Sequence, residues 1–237
     1  YKLSMKQDMY TPTDTRVAPT LHNDRPYSSY LYFSFSKTTA DPIRKIKLTS
    51  QLDAGYIGPY SPGSYMQTLV HKAFPTNDAP LGWETQINTD VILNYSVKAQ
   101  KALVTNPNLS LLAGADIQAG TLYSNAGITF ELLTGKHEPV FGIAANEKWP
   151  EFQYYFFVKA HTGFVGYNAL LQGGAFNTDN IYTLKSNEIQ RWVGSTETGI
   201  HFRYKGTGIE LAQHYLSPEY KGGLWHYRGR ISLIVKL

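Results

Sequence analysis

Residues Lys45–Tyr56 read Lys-Ile-Lys-Leu-Thr-Ser-Gln-Leu-Asp-Ala-Gly-Tyr, and alternate positions separate into two chemistries. Ile46, Leu48, Ser50, Leu52, Ala54 and Tyr56 form one face; Lys45, Lys47, Thr49, Gln51, Asp53 and Gly55 form the other. A period of two is that of an extended strand with one greasy and one wet side. The same division recurs at Leu93–Gln100, Leu109–Ala119 and Phe152–His161. Further alternation runs through Tyr1–Gln7, Tyr30–Lys37, Ala126–Thr134, Gly194–Tyr204, Ile209–Tyr215 and Trp225–Leu237. The reading is about ten long strands joined as an antiparallel meander, with helical periodicity almost absent.

Composition narrows the class. The chain has 237 residues, 42% of them hydrophobic, which excludes a disordered segment. No window approaches the run of apolar residues that a membrane-spanning helix needs. There is no cysteine, so disulfide frameworks and thiolate metal sites are excluded. The net charge is +4, but the basic residues form no run, so nucleic acid is not an expected partner. Eighteen Tyr, eleven Phe and four Trp exceed what a soluble core uses and need a location. The first residue, Tyr1, is preceded by no recognisable leader, so a mature product or a fragment is expected.

Some connections are tight by composition, at Gly120–Asn125 and Lys205–Gly208. Others are long, at Asp8–Tyr27, Gly58–Ile87, Gly135–Pro150 and Gln172–Asn187. Short turns at one end and long loops at the other, with an apolar face running to the end of the last strand, suit an antiparallel transmembrane β-barrel of the outer membrane. The surplus aromatics then fill its interfacial girdles. Alternation alone also fits a soluble sandwich or a lipocalin-like barrel, because it does not distinguish core from lipid. One domain, 1–237, is expected. One segment breaks the period: Met66, Leu69, Val70 and Ala73 fall on one stripe of a short rim helix between Gly63 and Phe74, ended by Pro75. Gln67 and His71 lie four apart on it, which lets them face one site together.

Five motifs occur in order: Gln7-Asp8-Met9-Tyr10-Thr11-Pro12, Asn23-Asp24-Arg25-Pro26-Tyr27, Gly55-Tyr56-Ile57-Gly58-Pro59, Gln67-Thr68-Leu69-Val70-His71 and Gly82-Trp83-Glu84-Thr85-Gln86. Together they resemble the lipid A 3'-O-deacylase (LpxR) family of Gram-negative outer membranes. The resemblance implies a twelve-stranded barrel, with an amino-terminal hairpin preceding the strands seen here. It also implies a site between the barrel wall and the short helix, and calcium-assisted hydrolysis of an acyl ester on lipopolysaccharide. By the same resemblance His71 and Gln67 are the catalytic pair, with Asp24, Arg25 and His22 in support. The metal ligands are not identified.

The chemistry is coherent: a histidine titrating near neutral pH deprotonates water, and a cation polarises the ester carbonyl. The sequence departs from the family in three ways. The Asn-Asp pair and Thr of the family's first two strands have no counterpart, Asn77 stands where the family has an acid, and His22 replaces a lysine. These departures favour the alternative of a catalytically inactive relative, a structural or partner-binding subunit of an envelope complex. A soluble sugar- or lipid-binding β-protein is the third reading. Individual residues also have plainer roles. Ser64-x-x-Gln67 is a capping box, Asp24-Arg25 suits a loop-fixing ion pair, and Glu131, Glu197, His201, Arg203, Arg228 and Arg230 suit a charge-paired lumen.

Overall fold

A computed structural model describes residues 1–15, 24–73, 82–141 and 151–235, with the side chains of Val70, His71 and Ala73 outside the description. Ten antiparallel strands form one curled sheet in chain order: β1 (Lys2–Tyr10), β2 (Ser28–Asp41), β3 (Ile46–Ile57), β4 (Asp90–Asn106), β5 (Leu109–Gly120), β6 (Tyr123–Lys136), β7 (Phe152–Asn168), β8 (Trp192–Tyr204), β9 (Thr207–Leu216) and β10 (His226–Val235). Helix α1 (Gly63–Ala73) lies between β3 and β4, and the four-residue α2 (Ala169–Gln172) follows β7. β1 and β10 are the sheet's edges, and no ladder joins them among the described residues.

Burial is inverted relative to a soluble protein, and this separates the barrel from the sandwich. Phe33, Leu93 and Tyr95 point outward and are 55%, 55% and 53% exposed, whereas Asp53 and Asn94 point inward and are 2% and 1% exposed. The register keeps the two sets apart: Leu52 pairs with Tyr95 and Ala54 with Leu93 on the outside, and Asp53 pairs with Asn94 on the inside. An apolar outer band around a polar interior is the arrangement lipid demands.

Four long connections (11–27, 58–89, 169–191 and 217–225) gather at one end, and tight turns at 42–45, 107–108 and 205–206 at the other. Two connections depart from that asymmetry, each because of what it fills. The Thr121–Leu122 turn is tight yet lies at the loop-rich end, where Leu122 is buried with Tyr30, Ile57, Ile87, Ile92 and Leu170. The connection 137–151 is long yet lies at the turn end. Its Val140 and Phe141 fold inward against Leu112, Leu133 and Phe157. Glu138 is paired there with Arg203 and accepts a hydrogen bond from Gln153 Nε2 at 3.1 Å.

Between these apolar ends the interior is charged and internally paired. Lys159 Nζ lies 3.8 Å from both Glu131 and Glu197, and Arg230 Nη2 lies 2.9 Å from both Glu197 and Glu210. His201 Nδ1 lies 3.1 Å from Glu210, and its ring stacks on Tyr155 at 4.6 Å. His161 meets Asp116 at 3.5 Å. Of these, Lys159, Glu197, His161 and Asp116 border a cavity of about 380 Å³.

Replacing an outward residue at mid-strand therefore moves a charge into lipid. Leu52→Arg is expected to destabilise the barrel by about 2–4 kcal/mol in urea unfolding from phospholipid vesicles. The inward Gln51→Arg is expected to cost much less; equal costs would contradict the orientation.

Candidate functional site at the rim

The entry to α1 is fixed by two glycines. Gly58 has φ +90, and a Cβ there would sit 2.6 Å from the Ile87 carbonyl oxygen, so the turn that ends β3 needs glycine. Its N–H donates to the Ser29 carbonyl at 2.8 Å. Ser61 Oγ lies 2.5 Å from Ser29 Oγ and 2.9 Å from the Gly58 carbonyl. Gly63 rests on Ser29 so closely that a Cβ would lie 2.3 Å from the serine Cβ, and Met9 is its next neighbour. Met9 and Ser29 are ladder partners on the opposite face from the inward pair Asp8 and Tyr30, so α1 begins on the outer wall of the β1–β2 hairpin. Tyr65, Met66 and Leu69 are exposed on it, apolar side chains of the kind that suit a membrane interface.

Gln67 is half-buried on α1, and its Oε1 accepts a 2.6 Å hydrogen bond from Trp83 Nε1. Trp83 stands in a short 3-10 turn, Trp83–Thr85, entered through Gly82 at φ +110. Its ring packs 5.0 Å from that of buried Tyr27, whose carbonyl accepts from Ile87 N–H at 2.9 Å. The indole thus fixes the amide plane of Gln67 and leaves the opposite, amino side of the group as a donor. The backbone of His71 lies one turn further along α1; its side chain, like His22 and Asn77, is outside the described residues.

Asp24 and Arg25 immediately precede Pro26-Tyr27 but serve a different cluster. The Asp24 carboxylate accepts from Thr13 N–H at 2.7 Å, from Arg25 N–H at 2.6 Å and from the Tyr220 hydroxyl. Its carbonyl accepts from the Tyr182 hydroxyl at 2.6 Å. Arg25 is buried, with its guanidinium 4.3 Å over the Tyr10 ring and Nη1 3.2 Å from Glu219 Oε2. These contacts tie the first long loop to those after β7 and β9, across the inside of the mouth. No hydrogen bond or ion pair joins this set to Gln67 among the described residues. Nor do any three His, Cys, Asp or Glu side chains among the described residues converge where they could hold a metal ion. Sequence reading missed Tyr182, Glu219 and Tyr220. The only local signal was the turn-forming Ser217-Pro218 before the last two.

Burial alone would raise the pKa of Asp24, but the hydrogen bonds from Tyr220, Thr13 and Arg25 outweigh it and hold the carboxyl below its ordinary value. A pKa depressed in the folded state stabilises above the unfolded value, and that contribution disappears as pH falls through the folded one. Protection of the mouth loops from pepsin should accordingly persist down to about pH 4 and fall away below it. Asp24→Asn should leave them sensitive throughout. Identical digestion profiles for the two proteins would contradict this role.

The family described as "Outer membrane protein LpxR" matches residues 1–237. Among solved structures, LpxR from Salmonella typhimurium superposes with a TM-score of 0.81 at 17% identity, covering 99% of this chain and 83% of that one. At that identity the likeness establishes the fold. No curated protein matches significantly. The sequence match over the whole length and the antiparallel sheet with its apolar exterior agree, and the chain belongs to the LpxR family of Gram-negative outer-membrane proteins.

Proposed function

We propose that the chain is an outer-membrane hydrolase that removes a 3'-linked acyl chain from lipid A, with His71 as general base and Gln67 as the polar group that positions the ester. The observation that carries this reading is the placement of α1. It lies on the outer wall at the loop-rich end, which in outer-membrane barrels is the extracellular side where lipopolysaccharide resides. A substrate whose acyl tails lie in lipid and whose ester lies at the interface meets that helix without entering the barrel. Gln67, held by Trp83, offers its amide donor toward a carbonyl or a water. In this reading water is the nucleophile, and His71 takes its proton as the tetrahedral centre forms. Calcium enters only through family resemblance. The described carboxylates do not gather to receive it, so no step is assigned to it.

That same dispersal of carboxylates supports a second reading, a non-catalytic relative acting as a structural or partner-binding subunit of an envelope complex. Mass spectrometry of lipid A from cells expressing the full-length protein separates the two. Hydrolysis predicts loss of the 3'-linked acyl chain, with His71→Ala lowering the rate about 10²–10⁴-fold. Trp83→Phe, which removes the donor to Gln67 but keeps a ring, should lower it about two- to tenfold. An unchanged acyl pattern with the intact protein would favour the second reading.

A further inference from the structure

A groove runs along the outer wall near the turn end, far from α1. Ala99, Ala113 and Ala115 form its floor; Ile46 stands on one side, and Ile128 and Phe130 on the other. The register builds it: Ala99 pairs with Ala115, Ala115 with Ile128, and Ala113 with Phe130. Its volume is about 430 Å³. At one end is Lys101, which interrupts the outward series Val91, Leu93, Tyr95, Val97 and Ala99 and is paired to Ile46 on β3 and to Ala113 on β5. The neighbouring 42–45 turn is clamped to it by Ala102 N–H donating to the Lys45 carbonyl at 3.0 Å. Arg44 in that turn lies 3.8 Å from Asp41, but no carboxylate pairs with Lys45 or Lys101 among the described residues.

An ammonium on the lipid face is costly at the bilayer centre and tolerated near the headgroups, where it reaches for an anion. A floor of methyl groups between bulkier ridges receives a hydrocarbon chain in van der Waals contact. We propose that this groove binds an anionic glycerophospholipid of the periplasmic leaflet, one acyl chain along the alanine floor and the phosphate against Lys101. The inference is independent of the proposed hydrolysis, since the two places lie at opposite ends of the wall and share no residue.

The test uses the full-length protein in nanodiscs of phosphatidylethanolamine and phosphatidylglycerol, released for native mass spectrometry. One retained phosphatidylglycerol per barrel is expected. Lys101→Gln should lower that occupancy about fivefold. Ala115→Phe, which fills the floor and leaves Lys101, should abolish it; Ala99→Leu serves the same comparison if that variant fails to fold by heat-modifiable migration. Retention of the two lipids in bath proportion, equal retention by Lys101→Gln, or undiminished retention by a folded groove-filling variant would overturn the proposal.

Discussion

Every backbone N–H and C=O inside a bilayer has to find a partner within the protein, because hydrocarbon offers none. The unbroken succession of ladders from β1 to β10 meets that demand for every strand between the two edges, and the rest follows from it. Once the backbone is committed to a continuous sheet, side chains have only two directions, and the curl makes one lipid and the other an enclosed interior. Charges placed inside lie among groups of the opposite sign. They are satisfied in chains of partners, as where Arg230 bridges Glu197 to Glu210 while Lys159 shares Glu197 with Glu131. Removing one member of such a set leaves another exposed to desolvation, so the interior is coupled.

The β1–β2 hairpin joins the two halves of the candidate site. Ser29 and Tyr30 are consecutive, so they face opposite sides of the wall. Ser29 supports the start of α1 outside, while the Tyr30 hydroxyl donates to Asp8 at 2.6 Å inside. Arg25 and Asp24, just upstream, connect the same hairpin to the loop after β9. The mouth thus draws the two ends of the sheet toward each other, although β1 and β10 share no ladder among the described residues. An outer-wall helix that carries Gln67 gains a rigid base from contacts it never touches.

The ten strands and the short helix were legible because period two and period 3.6 are read from neighbouring residues alone. The strands run longer than the alternation suggests. β4 extends to Asn106 past a bulge between Ala102 and Val104 that shifts the phase, and β7 continues to Asn168 through the glycines Gly163 and Gly166. α2 was not foreseen, since Ala169-Leu170-Leu171-Gln172 is a single buried turn with no second turn to show a stripe. The division of the candidate residues between the outer wall and the inner mouth was equally invisible. Asp24 and Arg25 look adjacent to the site in sequence, but their partners Tyr182, Glu219 and Tyr220 lie more than 150 positions away. The Gln67 amide, by contrast, has its partner only sixteen residues on, in the last of the five motifs.

The inward fold of Val140 and Phe141, with Glu138 locked to Arg203, bears on what kind of barrel this is. A conduit for solutes needs a continuous wet path along its axis. At the turn end Val140 and Phe141 occupy part of that path, and at the loop-rich end Tyr10, Tyr30, Tyr32 and Tyr123 crowd around Leu122. Passage along the axis at the turn end would require Val140 and Phe141 to leave their contacts with Leu112, Leu133 and Phe157.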